Sequence, residues 1–441
     1  MNLQTPEQVE KLRNALHAKA KAEAEYRFYQ LYDKVYRADV LEYAYRLSRS
    51  QDGSAGVDGQ TFEQVESQGV RAWLDELTAE LKSKTYRGAA VRRVWIEKAN
   101  GKLRPLGIPT VRDRVVQTAV VLVLGPIFEA DLAPEQYAYR PGRNAQDAVK
   151  HVHGLVRRGY DEVVDADLSG YFDSIPHAEL MRSVARRVSD RHLLALIKQW
   201  LVVAVEEDDG QGRRRRTTAA KDGKRGVPQG APISPLLANL YMRRFVLGWK
   251  TLGHQRRLRA YIVNYADDFV LCCRGTATAA MSTMRVMMAR LGLTVNEDKT
   301  SVRRLPADSV DFLGYTIGRC YSTQTGRAYV GTRPSRQSVR RVTARISELT
   351  SRRMLWVEEG VLIERLNRLL VGWSNYFCLG PVSGTYRAVD AHTRHRLRQW
   401  LRGKHKVSHA GTARFPDQYL YEQLQLVRLT ERTRDLPWAK A

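Results

Sequence analysis

At 441 residues the chain exceeds one ordinary domain, so two or three packed units are expected. A composition of 43% apolar and 27% charged residues excludes long disorder and a fibrous chain, and no run approaches the roughly 18 apolar residues of a membrane span. Against 47 Asp and Glu stand 72 Lys and Arg; the net charge of +25 and pI near 10.0 point to a polyanion, with nucleic acid ahead of an anionic membrane surface. The polar N-terminus lacks the apolar stretch of a signal peptide. Four cysteines, with Cys272 and Cys273 adjacent, make neither a disulfide framework nor a zinc motif, so a cytoplasmic setting is expected.

In chain order, residues 1–50 predict helices, rich in Ala, Glu, Lys and Leu. After the glycine-punctuated DGSAGVDG, one helix is predicted from about Glu63 to Lys84. The segment VRRVWIEK reads as a strand entering a hairpin turn at Asn100-Gly101. An apolar helix follows over Val115–Phe128. EVVDADLSGYF begins as a strand and precedes a helix near AELMRSVARRV. Residues 206–226, with arginines at 213–216, read as a mobile hairpin tip or loop. The sequence IVNYADDFVLCC predicts two apolar strands about a tight turn, AAMSTMRVMMARLGL a helix, and VDFLGYTI a strand. Beyond Thr332 only helices are predicted: Val342, Ile346 and Leu349, then Leu362, Leu366 and Trp373, then Tyr386, Val389, Leu397 and Trp400 recur at helical spacing.

Two acidic clusters sit in β-rich runs where burial should exclude charge: Asp165-Ala-Asp167, and Asp267-Asp268 after Tyr265-Ala266. Like charges between hydrophobic strands are unfavourable unless a cation neutralises them. Hard oxygen donors of this kind suit Mg²⁺, and two such ions can activate a hydroxyl and stabilise a leaving pyrophosphate. Strand periodicity cannot choose between Asp165 and Asp167, which point to the same face. Between the clusters, GVPQGAPISPLLANLYM shapes a glycine- and proline-bound turn that exposes Gln229, then a helix with Ser234 as N-cap. Upstream, LRPLGIPTVRDRVVQ and QYAYRPGRNAQDAV place basic side chains, among them Arg140 and Arg143, where triphosphate or template phosphates could be held. His405 and His409 stand four apart without a third ligand, so no metal is expected there.

These pieces, GVDG, GKLRPLGIPTVRDRVVQ, YAYRPGRNAQDAV, VVDADLSGYFDSIPH, GVPQGAPISPLLANLYM, NYADD, LTVNEDKT and DFLGYTIG, occur in the order found in group II intron-encoded reverse transcriptase/maturases, which the chain closely resembles over about residues 50–400. LNRLLVGWSNYFCLG resembles their helical maturase, or thumb, region. The resemblance implies an α+β right-hand polymerase with fingers and palm, followed by an α-helical thumb. It implies a metal-binding triad of Asp167, Asp267 and Asp268, with the aspartate chosen over Asp165 because an aromatic, Phe172, lies five residues on. By the same resemblance Phe172 gates against a 2′-hydroxyl, the Leu168 carbonyl is a further metal ligand, Lys98 and Arg104 grip the triphosphate, and Gln229 lies against the incoming nucleotide. The implied cofactor is two Mg²⁺ ions. The implied partners are group II intron RNA, an RNA template with DNA primer, a DNA target and dNTPs.

The expected division is a helical extension over 1–50, fingers and palm over 51–331, a helical thumb over 332–400 and a basic tail over 401–441, a candidate for a reduced DNA-binding region. No HNH-type nuclease segment follows the thumb, so the resemblance is to the endonuclease-lacking type. The expected activity is RNA-directed DNA synthesis, with intron RNA binding that assists splicing and retrohoming. A host-adopted polymerase used in repair or phage defence is the alternative.

Overall fold

The computed structural model describes residues 3–97, 101, 103–208, 214–322, 324–407 and 411–432. Among the described residues eleven strands form three sheets: β1 (Val91–Glu97), β2 (Leu103–Ile108), β3 (Glu162–Ala166), β4 (Val205–Asp208), β5 (Arg214–Thr217), β6 (Ala260–Tyr265), β7 (Asp268–Cys273), β8 (Ser301–Arg304), β9 (Val310–Phe312), β10 (Tyr315–Tyr321) and β11 (Ala328–Pro334). The first sheet runs β2-β1-β4-β5, the second β6-β7-β3-β8 and the third β11-β10-β9. Among the described residues no helix is long and apolar enough to cross a membrane.

The second sheet carries the acidic clusters, and its strands β6 and β7 are mostly apolar because both faces are covered. Period 2 divides β7 cleanly: Phe269, Leu271 and Cys273 enter the main core, whereas Val270 and Cys272 enter a second one. On the first side lie Tyr241 and Phe245 of the helix Ser234–Thr251 and Met284 and Met288 of the helix Ala277–Arg290. On the other lie Ala148, Val149 and Val152 of the helix Ala145–Arg157 and the third sheet. Val164 and Ala166 of β3 follow the main core and Val163 the second, so Asp165 takes a position on the second side that an apolar residue would otherwise fill.

The helix Val111–Glu129 is buried nearly all round, capped by Thr110, whose hydroxyl accepts from the Asp113 amide at 3.1 Å. Helices Glu7–Ala22 and Ala38–Ser50 pack on it, sending Val9, Leu16, Val40 and Leu41 into the main core. The N-terminal segment expected as an extension is thus part of that core. Three local expectations change. The helix expected over 63–84 is two, Phe62–Gln68 and Val70–Ser83, because Gly69 at φ +100° breaks the helical run. VDFLGYTI is two strands, with Leu313 and Gly314 at φ +51° and +80° turning the chain between them. Within the stretch read as a hairpin tip or loop, β4 and β5 are antiparallel strands in which Glu206 faces Arg216 and Glu207 faces Arg215.

Ser335 caps the helix Arg336–Leu349, which packs with Glu359–Tyr376 and Ser383–His405 around Ile346, Leu362, Leu366, Tyr386, Val389, Leu397 and Trp400. The boundary expected at residue 400 falls inside the third helix. Phe415, Leu420, Leu426 and Leu429 join the same core, and buried Asp390 accepts from the Leu429 and Thr430 amides at 3.0 and 3.1 Å. The described part of the expected tail is therefore a layer of the helical domain. Tyr376 and Phe377 fasten this domain to the third sheet, Tyr376 donating to the Leu313 carbonyl at 2.9 Å and Phe377 packing 5.1 Å from Tyr315.

Candidate active site

The acidic clusters meet where β3 ends beside the β6–β7 turn. Tyr265 pairs with Asp268, leaving only Ala266 and Asp267 to reverse the chain. Ala266 adopts φ +58°, a conformation unusual for a residue with a Cβ. Buried Asn264 holds it there, its amide donating to the Ala266 carbonyl at 2.8 Å. The tight turn throws Asp267 and Asp268 to the mouth of the sheet instead of into its core.

Asp167 follows β3. Leu168 bridges Val295 through hydrogen bonds from Ser169 to Thr294 (2.9 Å) and from Asn296 to Asp167 (2.8 Å). In that pattern the N–H and C=O of Leu168 itself point away from residues 294–296, toward the β7 side of β3. Asp167 Oδ2 accepts from Lys299 Nζ and Asn296 Nδ2, each at 3.0 Å. Neither partner was singled out from sequence, although both lie within LTVNEDKT.

Asp268 remains open to solvent at the cleft while protein surrounds it on most sides. That desolvation, then the charges of Asp267, Asp167 and Asp165, push its pKa up to about 6. Asp165, half-buried, is also raised to about 6, by desolvation first and with Asp167 and Asp311 adding to it. The site thus concentrates negative charge that the protein offsets only in part, through Lys299 and Arg303. Carboxylates and an outward main-chain carbonyl are a donor set suited to a hard divalent cation. Among the described residues no three such side chains already converge on one point, and Asp167 is turned to Lys299. The chemistry of the donors fits magnesium, with side-chain rotation needed to gather them.

Beside the acids lies a cleft of about 480 Å³, lined among others by Arg104, Leu106, Tyr139, Phe172, Gln229 and Ser234. Phe172 is 8% exposed, and its carbonyl accepts from the Val227 amide at 2.7 Å. Gln229 is engaged on both sides: Arg104 Nε donates to its Oε1 at 3.1 Å, and its Nε2 donates to Asp173 at 3.0 Å. This chain of contacts ties β2 to the short helix Tyr171–Ser174. Gly230, at φ +104°, is required here, because a Cβ would fall 2.7 Å from the Gly107 carbonyl oxygen. Tyr139, at φ +55° and 59% exposed, projects into the cleft and was not anticipated. Its positive φ leaves no mark in a single sequence. Lys98 lies outside the described residues.

The two arginines of YRPGRN part company. Arg143 is half-exposed, donating to the Pro134 carbonyl at 2.7 Å and lying 5.4 Å over Tyr137. Arg140 is not available to a phosphate. Its side chain is 5% exposed, paired with Glu129 at 2.6 Å and donating to the carbonyls of Ala133 and Gln136 at 2.6 and 2.7 Å. The expectation of a nucleic-acid contact there gives way to a structural anchor, since the side chain is buried and each of its three nitrogens is already engaged. His405 pairs with Glu359 at 2.6 Å, and His409 lies outside the described residues.

Residues 96–317 match the family described as reverse transcriptase (RNA-dependent DNA polymerase), and residues 339–418 match the group II intron, maturase-specific domain. The chain belongs to the group II intron-type reverse transcriptase/maturase family. Protein YkfC of Escherichia coli is 32% identical over 352 residues, 71% of this chain and 89% of that protein. The group II intron-encoded protein LtrA of Lactococcus lactis is 31% identical over 232 residues, 51% of this chain but 36% of that protein. The chain therefore spans about a third of LtrA. A chain of a solved "Partial Cas6-RT-Cas1--Cas2 complex" is similar at 22% identity and a TM-score of 0.36, covering 59% of this chain and 42% of that one. The maturase-specific match runs past residue 400 and ends inside the layer that packs on the helical core.

Proposed function

We propose that the chain is an RNA-directed DNA polymerase that binds group II intron RNA, assisting its splicing and copying it into DNA at a target site. The observation that carries this reading is the gathering of Asp167, Asp267 and Asp268 beside a cleft floored by Phe172, within a chain of this family.

Asp167, Asp267, Asp268 and the Leu168 carbonyl would hold two Mg²⁺ ions. When bound, these supply Lewis-acid activation of the primer 3′-hydroxyl and neutralise charge on the departing pyrophosphate. The protein's part is positioning and electrostatics. Asn264 keeps the Ala266 turn in place and so aims Asp267 and Asp268. Lys299 and Asn296 hold Asp167 until it is drawn to the substrate side. Arg104, with Lys98, would neutralise the triphosphate, and Gln229 fixes Arg104 at the cleft wall, where it lies against the incoming nucleotide. Phe172, packed from behind, leaves no room for a 2′-hydroxyl above it. Arg143 would meet template or primer phosphate. We assign fingers and palm to residues 51–331, supported from below by the N-terminal helices, and the thumb to the helical domain from residue 332 through the described tail.

The test is primer extension on an RNA template with Mg²⁺ and dNTPs, wild type beside Asp267→Ala. Extension by the wild type alone is expected. Extension by neither protein, despite RNA binding, would reject the polymerase reading and leave an RNA-binding splicing factor.

A further inference from the structure

Trp356 is 78% exposed, more than any other large hydrophobic side chain among the described residues. It lies in the connection between the helices Arg336–Leu349 and Glu359–Tyr376. An indole left in water forgoes the burial that normally stabilises it. Nor is the connection loose. Trp400 Nε1 donates to the Met354 carbonyl at 3.1 Å, and Lys404 Nζ donates to those of Leu355 and Val357 at 3.1 and 2.8 Å. The backbone on both sides of Trp356 is thereby pinned to the helix Ser383–His405, and the ring is presented from a fixed support.

One residue away, Leu355 lines a cleft of about 530 Å³ together with Thr350, Arg352, Arg396, Gln399 and Arg402. Among its described lining residues none is acidic. The Arg396 guanidinium is held by the Thr350 hydroxyl at 3.2 Å, the Ser347 carbonyl at 3.0 Å and the Gln399 side-chain oxygen at 3.0 Å. All three partners are neutral, so its position is set, and among the described residues no acid is paired with it. Arg352 and Arg353 are exposed beside it. A rigid aromatic face next to guanidinium groups such as those of Arg352, Arg353 and Arg396 is a combination that stacks an unpaired base and holds its phosphate. A duplex keeps its bases stacked internally and cannot use the ring in that way.

We propose that Trp356 and the cleft carrying Arg352 and Arg396 form an accessory site for unpaired RNA, separate from the polymerase cleft. The choice of RNA rests on the reading that this chain works on RNA. The test uses the full chain with its polymerase cleft prefilled by an unlabelled primer–template duplex. Fluorescence anisotropy then follows labelled single-stranded RNA, single-stranded DNA and duplex RNA. Trp356→Ala is expected to weaken single-stranded RNA binding about tenfold, and Trp356→Phe to retain most of it. Arg352→Ala should lower the slope of log affinity against log salt by about one. Thermal melting of each variant should match the wild type. Unchanged affinity in both Trp356→Ala and Arg352→Ala would overturn the proposal. So would DNA bound with the same Trp356 dependence and higher affinity, or light scattering that finds a wild-type dimer abolished by Trp356→Ala. Failure of the wild type to extend a primer would remove the polymerase reading while leaving a Trp356-dependent RNA site in place.

Discussion

In the palm, four aspartates at 165, 167, 267 and 268 crowd the ends of two neighbouring strands, and two of them are raised to about 6. In the helical domain the surplus is of arginines, spread along helices whose apolar faces are turned inward. The palm concentrates one sign of charge on a few atoms held by a strained turn and by strand register, an arrangement that favours a compact divalent cation. The helical domain distributes the opposite sign over a surface, an arrangement that follows a phosphate backbone. Function should therefore be brittle in the first region and graded in the second.

The largest effect is expected from Asp267→Ala, which removes a donor at the point of greatest charge. Single-turnover primer extension should fall by about a thousandfold or more, with RNA affinity nearly unchanged. Activity within tenfold of the wild type would show that the acids are not where the reaction occurs.

Next in size is the contrast between Arg140 and Arg143. Arg140→Ala leaves Glu129 and two carbonyls facing a void and should cost about 3 kcal/mol of stability in urea unfolding. Arg143→Ala should leave stability within about 0.5 kcal/mol, weaken nucleic-acid binding a few-fold and reduce its salt slope by about one. Equal destabilisation by both would remove the distinction drawn between anchor and contact.

Phe172→Ala should then relax discrimination between dNTP and rNTP, by on the order of a hundredfold in the ratio of kcat/KM values. An unchanged ratio would make Phe172 a core residue only.

The smallest effect is on stability against pH. Because the folded-state pKa of Asp268 lies above its unfolded value, the native chain holds a proton between about pH 4 and 6 that the unfolded chain releases. Stability contributed by this group is present below that window and lost as pH rises through it. Asp268→Asn should therefore be more stable than the wild type at pH 8 without Mg²⁺, on the order of 1 kcal/mol after solvent screening. The advantage should vanish near pH 4, and added Mg²⁺ should narrow it at pH 8 by stabilising the wild type more than the variant. Melting curves across pH would check both signs.

Much of the architecture was legible along the chain because its signals are local. The apolar strands around Tyr265–Asp268, the periodic Leu and Trp positions beyond Thr332, and the ordered motifs each state their own structure and together name the family. What sequence periodicity could not decide was direction and company. Arg140 and Arg143 are equivalent as residues in YRPGRN, and only packing places Glu129 against one of them. The turns at Gly69 and at Leu313-Gly314 depend on backbone angles that apolar patterning does not report. Lys299 and Asn296 reach Asp167 from more than a hundred residues away. Residues beyond 400 read as a basic tail because their apolar side chains are sparse, yet Phe415, Leu420, Leu426 and Leu429 suffice to close the helical core. By itself the sequence determined the charge balance, the element types and the acidic motifs, since these are properties of neighbouring residues. Tertiary structure alone decided which charges are cancelled and which are left to bind, because neutralisation depends on distances between groups that the chain brings together only on folding.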